Sequence, residues 1–265
     1  MHPILFRFGP VTIYSFGVLM ALGFYVGTAI SAHEYQRRGG SADRMWSLLV
    51  WAFVAGLVSS KLLSVAGDMG AFLRHPVSML VSGSGFVWFG GLIGGTAAAW
   101  LLTVRYKMQF SAVADCAAIG IPFGHAIGRI GCHVAGDGDW GTVTNLPWGV
   151  AYTHAFIGWD YPPGVRVHPT PIYEAVAYTI IGLVLWKMRK KDLPSGTLLA
   201  WYLLSSSIVR FLVEFIRINP KILFGLSQAQ WISMGLALAA SGWLMTHRGH
   251  AAAGAAHVAS GQAAK

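Results

Sequence analysis

The sequence predicts an all-α integral membrane protein with seven transmembrane helices and a periplasmic cap segment between helices 4 and 5. Three observations predict it. Of its 265 residues 55% are hydrophobic and only 11% are charged, against about 25% charged in an ordinary soluble domain. The apolar residues form continuous runs long enough to cross a bilayer, not the alternating pattern of barrel strands. The basic residues gather in the short loops between those runs.

Met1 to Pro10 is a short, partly interfacial lead-in. The first span runs from Val11 to about Ala32 and is followed by the polar loop HEYQRRGGSADR. The second covers about Met45 to Ala66, with Lys61 inside it. Gly67 to Gly85 is too mixed to cross, and its apolar piece Val77 to Val81 is short enough to be interfacial or re-entrant. The third span, Phe86 to about Val104, opens FVWFGGLIGG, whose small residues permit close helix packing. The fourth covers Phe110 to about Ile130. The cap, about 132–170, is rich in Trp, Tyr and Pro. Pro171 to about Trp186, Gly196 to about Ile216 and Leu226 to about Met245 are the fifth, sixth and seventh spans.

Residues 1–246 therefore read as a single polytopic domain, and 247–265, rich in Ala and Gly, as a disordered cytoplasmic tail. No cleavable signal peptide is expected, because the first apolar run has no basic leader and no small-residue cleavage site.

Loop charges orient the chain. With the N-terminus outside, the inner face holds Arg37, Arg38, Arg44, Arg105, Lys107, Lys187, Arg189, Lys190, Lys191, Arg248 and Lys265, and the outer face Arg7, Arg74, Arg166, Arg217 and Lys221. That bias puts the N-terminus on the periplasmic or cell-exterior side and the C-terminus in the cytoplasm. The net charge of +9 is topogenic; no soluble basic domain or RNA-binding motif points to nucleic acid. Cys116 and Cys132 on one continuous helix would lie about 24 Å apart, too far for a disulfide.

The densest polar chemistry is Ile121 to Gly141, IPFGHAIGRIGCHVAGDGDWG. Arg129 there and Arg210 in span six both fall at the outer ends of apolar helices. A buried Arg is costly in a bilayer, so each either snorkels to the headgroups or belongs to a site. Guanidinium groups bind phosphate through paired hydrogen bonds, and a phospholipid headgroup is the ligand available at that depth. Glu214 follows Arg210 by four residues and Arg217 follows Glu214 by three, so the three share one helix face, as an ion-pair ladder or as a held catalytic set.

Asp137 and Asp139 form a pattern too short for a calcium loop, so no metal is expected. A turn that hydrogen-bonds backbone N–H groups suits them better, and Asp137 is also placed to pair with Arg129. Cys132 and His133 are adjacent and do not face each other on a helix, which argues against a nucleophile–base pair. His168 and Glu174 bracket HPTPIYE, where prolines set the entry into span five. His168 has either a packing role or a place in the site.

FGGLIGG at Phe89–Gly95, IPFGHAIGRIG at Ile121–Gly131, HPTPIYE at His168–Glu174 and RFLVEFIR at Arg210–Arg217, in this order, resemble the prolipoprotein diacylglyceryl transferase family. The resemblance covers most of the chain, from FGPVTIYSFGVLMALGF to ISMG at Ile232–Gly235. It implies a seven-helix enzyme open laterally to lipid. Such an enzyme moves the diacylglyceryl group of phosphatidylglycerol to the lipobox cysteine thiol of a preprolipoprotein signal peptide and releases glycerol-1-phosphate.

By position, Arg129 matches the family's phosphatidylglycerol-binding Arg and Arg210 its second essential Arg. Glu214 and Arg217 match the residues that follow it, and Gly90 and Gly91 a His-Gly-Gly motif. Three positions depart. Phe89 stands where the family often has His, and Phe16 where it has Tyr. GRIGCHVAGDGD lacks both Asn of the usual signature, with Cys132 and Ala135 in their place and Asp137 where Glu is common.

The expected catalytic set is therefore Arg129, Arg210 and Glu214, and the expected substrate-binding set Arg129, Arg210, Arg217, Gly90, Gly91, Asp137, His133 and His168. No cofactor and no covalent intermediate is required. Glu214, Asp137 and His133 all remain candidates to accept the thiol proton. Two other readings compete. One is a non-catalytic relative that binds phospholipid or lipoprotein precursor, favoured by Phe16 and Phe89. The other is a transporter, disfavoured because only Lys61 lies near a midplane and no internal repeat is visible.

Overall fold

The computed structural model describes residues 1–9, 11–81 and 86–262. Lys265 and the rest of 263–265, the end of the expected disordered tail, lie outside the described residues. The elements in chain order are strands β1 (Ile4–Phe8) and β2 (Val11–Tyr14), then helices α1 (Ser15–Arg37), α2 (Ala42–Gly67), α3 (Met69–Arg74), α4 (Pro76–Val81), α5 (Trp88–Arg105), α6 (Phe110–Ala135), α7 (Thr170–Met188) and α8 (Thr197–Val213), then strands β3 (Lys221–Leu223) and β4 (Leu226–Ser227), and finally α9 (Gln228–Gln262). Helices α1, α2 and α6 are long and apolar enough to cross a membrane, and α8 is a shorter apolar helix. Helix α9 continues beyond Met245 as far as Gln262.

Several details differ from the sequence reading, two of them at the first span. Val11–Tyr14 does not begin a span but pairs antiparallel with β1. Helix α1 runs on through HEYQR, because the fully buried Glu34 is held by Arg37 at 2.7 Å and Arg38 at 2.8 Å, one turn further on. Those i,i+3 and i,i+4 pairs neutralise the charge within the helix itself.

Contacts divide the chain into two units, Met1–Ser31 with Ala114–Lys265, and Ala32–Val113. In the first, Ile119, Ala126, Tyr178, Ile181, Leu185 and Leu198 form a buried core shared by α6, α7 and α8. The α1 backbone approaches α6 through glycine pairs: a Cβ on Gly124 would stand 2.6 Å from the Gly23 carbonyl, and one on Gly120 would overlap the Gly27 carbonyl. Such contacts give van der Waals packing where lipid offers no hydrophobic drive between helices. Asp115 on α6 accepts hydrogen bonds from the N–H groups of Gly196 (2.8 Å) and Leu199 (2.9 Å), capping the start of α8.

The segment between α6 and α7 has its own small core of Trp140, Tyr152 and Val167, with Trp159 and Tyr161 against it. Val167 is bridged to Val143 and to Val150, and Gly141 to Arg217.

In the second unit α5 lies along α2. A Cβ on Gly90 would meet the Ser59 carbonyl at 2.5 Å and the Ser60 Cα at 2.8 Å, whereas one on Gly91 would find only ordinary contacts, at 3.7 and 3.8 Å. Lys61 is buried, with its ammonium 4.9 Å from the centre of the Phe86 ring.

Candidate functional site

Three helix ends and one loop build a charged cluster in the first unit. Arg129 comes from the last turns of α6, Glu174 from the start of α7 and Arg210 from the last turn of α8, where the helix dipole favours a cation. Just past α8, Glu214 and Arg217 follow, and Asp139 comes from the loop after α6.

Glu174, fully buried, is the hub. Its Oε1 accepts a hydrogen bond from Arg210 Nη1 at 3.0 Å, and its Oε2 stands 2.9 Å from Arg129 Nε as a charge contact without hydrogen-bond alignment. Arg210 Nη2 lies 2.9 Å from Glu214 Oε2, so one guanidinium bridges two carboxylates. Glu214, also fully buried, accepts from Asn219 Nδ2 at 2.7 Å. Arg217 reaches Glu174 and Glu214, each at 3.8 Å, and donates to Asp139. Asp139 gives its other oxygen to Arg129. Three guanidinium groups thus face three carboxylates, which lowers the cost of burying each charge.

The loop is held where Asp139 can reach both arginines. Thr170 Oγ1 and Arg217 Nη1 donate to the Asp139 carbonyl, the latter at 3.2 Å. The N–H of Thr142 donates to the Ile216 carbonyl at 2.7 Å. Gly136 (φ +65) and Gly138 (φ +93) take the left-handed backbone that turns the chain out of α6. Burial alone pushes the Asp139 carboxyl up, but the hydrogen bond and charge of Arg217, with the charge of Arg129, hold it below the usual carboxylate range.

Of the residues expected from sequence, Arg129, Arg210, Glu214 and Arg217 are brought together. Asp137 is beside them but does not pair with Arg129; that partner is Asp139. Asp137 instead accepts the Asp139 N–H at 3.2 Å, closing an Asx turn. His133 meets the Tyr152 hydroxyl at 2.9 Å at the edge of the small aromatic core. Burial, then the charge of Asp137, pushes the Tyr152 hydroxyl up, so it stays protonated. His168 Nδ1 lies 3.2 Å from the Tyr173 hydroxyl, which itself accepts from Trp148 Nε1 at 2.8 Å. Gly90 and Gly91 belong to the second unit, where the space at Gly90 is filled by α2.

Sequence reasoning missed three residues: Asp139, expected only as part of a turn, Glu174 and His125. Glu174 was visible as a lone carboxylate inside the apolar run PIYEAVAY, the kind of residue that needs a cation in a membrane. His125, one turn before Arg129, stacks on Tyr178, one turn after Glu174, with ring centres 3.8 Å apart. Donor atoms of Cys132, Asp137 and Asp139 lie within 4.8 Å of one another, but both oxygens of Asp139 are occupied by guanidinium groups.

A family model described as prolipoprotein diacylglyceryl transferase matches residues 3–246. The chain is similar to the phosphatidylglycerol–prolipoprotein diacylglyceryl transferase of Clostridioides difficile (strain 630), with 32% identity over 88% of this chain and 90% of that protein. It is 28% identical to the protein of that description from Clostridium tetani (strain Massachusetts / E88), over 88% of this chain and 93% of the relative. It is also 28% identical to the one from Legionella pneumophila (strain Corby), over 90% and 91%.

Proposed function

The chain belongs to the prolipoprotein diacylglyceryl transferase family, and from that premise we propose that the cluster around Glu174 is where it binds and cleaves phosphatidylglycerol. The activity itself is transfer of the diacylglyceryl group of phosphatidylglycerol to the lipobox cysteine of a prolipoprotein, with glycerol-1-phosphate leaving.

The observation that carries the proposal is a contrast of exposure around one carboxylate. Arg129 and Arg210 converge on Glu174, yet their side chains keep 15% and 23% exposure while Glu174 and Glu214 have none. An incoming anion therefore meets guanidinium groups already held in place by the buried carboxylates behind them. Glu214 acts as a positioning residue that aims Arg210. The phosphate sits on Arg129 and Arg210, with Arg217 as a third donor, as the lipobox sulfur attacks the diacylglyceryl carbon. The S–C bond forms, the C–O bond to phosphate breaks, and its electron pair stays on the phosphate oxygen. The thiol proton is balanced by the released monoester, whose second pKa is about 6. Charge that builds on the leaving oxygen is what the two guanidinium groups stabilise.

The membrane arrangement follows the same reading. Helices α1, α2, α5, α6, α7, α8 and α9 cross the bacterial inner membrane with the N-terminus periplasmic, which puts the cluster at the outer leaflet. Loop charge and the three long apolar helices support this. The partners are then phosphatidylglycerol, the surrounding lipids and preprolipoprotein signal peptides.

The test is an assay of purified protein with phosphatidylglycerol and a lipobox peptide, read by mass. Arg129→Ala and Arg210→Ala each lose at least about 100-fold in transfer, the scale of losing one preorganised donor. Near-normal transfer by either variant rules the clamp out.

A further inference from the structure

We propose that Asp139 is a displaceable internal counter-ion: its carboxylate occupies part of the phosphate's place, the side formed by Arg129 and Arg217, and swings out when the lipid headgroup or the glycerol-phosphate product binds. This rests on the phosphate-clamp reading above and goes further, because it says what the clamp holds between turnovers.

Charge balance is the first ground. Arg129, Arg210 and Arg217 face Asp139, Glu174 and Glu214, so the cluster is already neutral. A phosphodiester adds one negative charge, and a buried set bound to an extra anion carries an uncompensated charge, which is costly. Release of one carboxylate to water removes that cost.

Exposure identifies which carboxylate leaves. The Glu174 and Glu214 side chains are fully buried, whereas that of Asp139 is 31% exposed. Glu214 is further fixed by Asn219, and Glu174 lies between two helices. Asp139 alone among the three has a short path to solvent.

Geometry is the third ground. One Asp139 oxygen faces Arg129 and the other Arg217. Two oxygens of one anion set across two guanidinium groups is also how the non-bridging oxygens of a phosphate sit. The Asp139 backbone is fastened independently, through its carbonyl to Thr170 and Arg217 and through its N–H to Asp137. The carboxylate can thus turn away about its own side-chain bonds while the loop stays in place.

Displacement makes ligand affinity the outcome of a competition. The product, with up to two negative charges, binds Arg129 and Arg217 more tightly than the diester does. Return of Asp139 to its arginines opposes that binding and helps the product leave.

The experiment uses the full chain in phosphatidylglycerol vesicles with a lipobox peptide, and glycerol-1-phosphate as competitor. Asp139→Asn keeps the shape and removes the charge. Its expected signature is a KM for phosphatidylglycerol and a Ki for glycerol-1-phosphate that both fall about tenfold, with a lower melting temperature; Asp139→Glu restores wild-type values. A brace role predicts the opposite sign, with KM and Ki unchanged or raised as stability falls, and that result overturns the proposal. Asp139→Ser is measured in the same way if the Asn variant does not fold. Arg129→Ala run alongside separates the two claims. If it stays inactive while Asp139→Asn fails to tighten binding, the clamp stands and the counter-ion falls; if it keeps activity, the clamp itself fails.

Discussion

Arg210 Nη1 lies 3.0 Å from Glu174 Oε1, although the two residues stand 36 positions apart on different helices. The same guanidinium uses its other nitrogen on Glu214. A planar fork can bridge two carboxylates; the ammonium of Lys is a single point and serves one of them well. Arg210→Lys is therefore expected to keep the fold but to lower transfer about 10- to 100-fold. A double variant with Glu214→Gln should add little to that loss. Full activity of Arg210→Lys in the peptide assay would show that the fork is not needed.

Glu174→Gln removes the one negative charge that Arg129 and Arg210 share. Breaking a buried pair from one side leaves cations uncompensated and costs about 3–5 kcal/mol. The variant should melt well below wild type in detergent and lose transfer. If its melting temperature is unchanged, Glu174 is not the hub of the cluster.

Acid should weaken the loop that carries Asp139. The folded pKa of this carboxyl lies below its ordinary value, because Arg217 and Arg129 outweigh burial. A depressed carboxylate pKa contributes stability that is complete above the unfolded pKa of about 4 and is lost as pH falls through the folded one. Melting curves taken from pH 7 down to pH 3 should fall steeply for wild type and less steeply for Asp139→Asn. Parallel curves would contradict the assignment.

Gly90 and Gly91 separate packing from binding. A methyl at Gly90 runs into the Ser59–Ser60 backbone, whereas one at Gly91 meets nothing closer than 3.7 Å. Gly90→Ala should cost about 1–3 kcal/mol through overpacking, and Gly91→Ala close to none. Thermal melting checks the pair. If Gly91→Ala melts normally yet transfers poorly, the loss belongs to substrate binding rather than to the α2–α5 contact.

Much of the cluster was legible because its signals are local. Arg210, Glu214 and Arg217 stand at helical spacing, and Arg129 is a lone charge at the end of an apolar run. What stayed hidden depends on long-range geometry. Glu174 reads as one carboxylate among apolar neighbours until α6 and α8 bring arginines to it. Asp137 and Asp139 are equivalent in sequence, and only the backbone turn at Gly136 and Gly138 decides which one faces Arg129. The β1–β2 and β3–β4 hairpins escaped because their strands are short and apolar and merge with the spans that follow. The second betrays itself only by Phe224 and Gly225, both at positive φ, at its tip. His125 is quoted within the IPFGHAIGRIG run, but nothing in the sequence marks Tyr178, on another helix, as its partner.

Asp115 grips the first N–H groups of α8, and Glu174 grips its last turn. The helix is thereby indexed along its own axis by two fasteners carried on two different neighbours. Creep by a single residue shifts the backbone about 1.5 Å, enough to unmake both attachments together. α8 can pivot, or travel with α6 and α7, but an axial slide past either neighbour breaks its attachment at one end or the other.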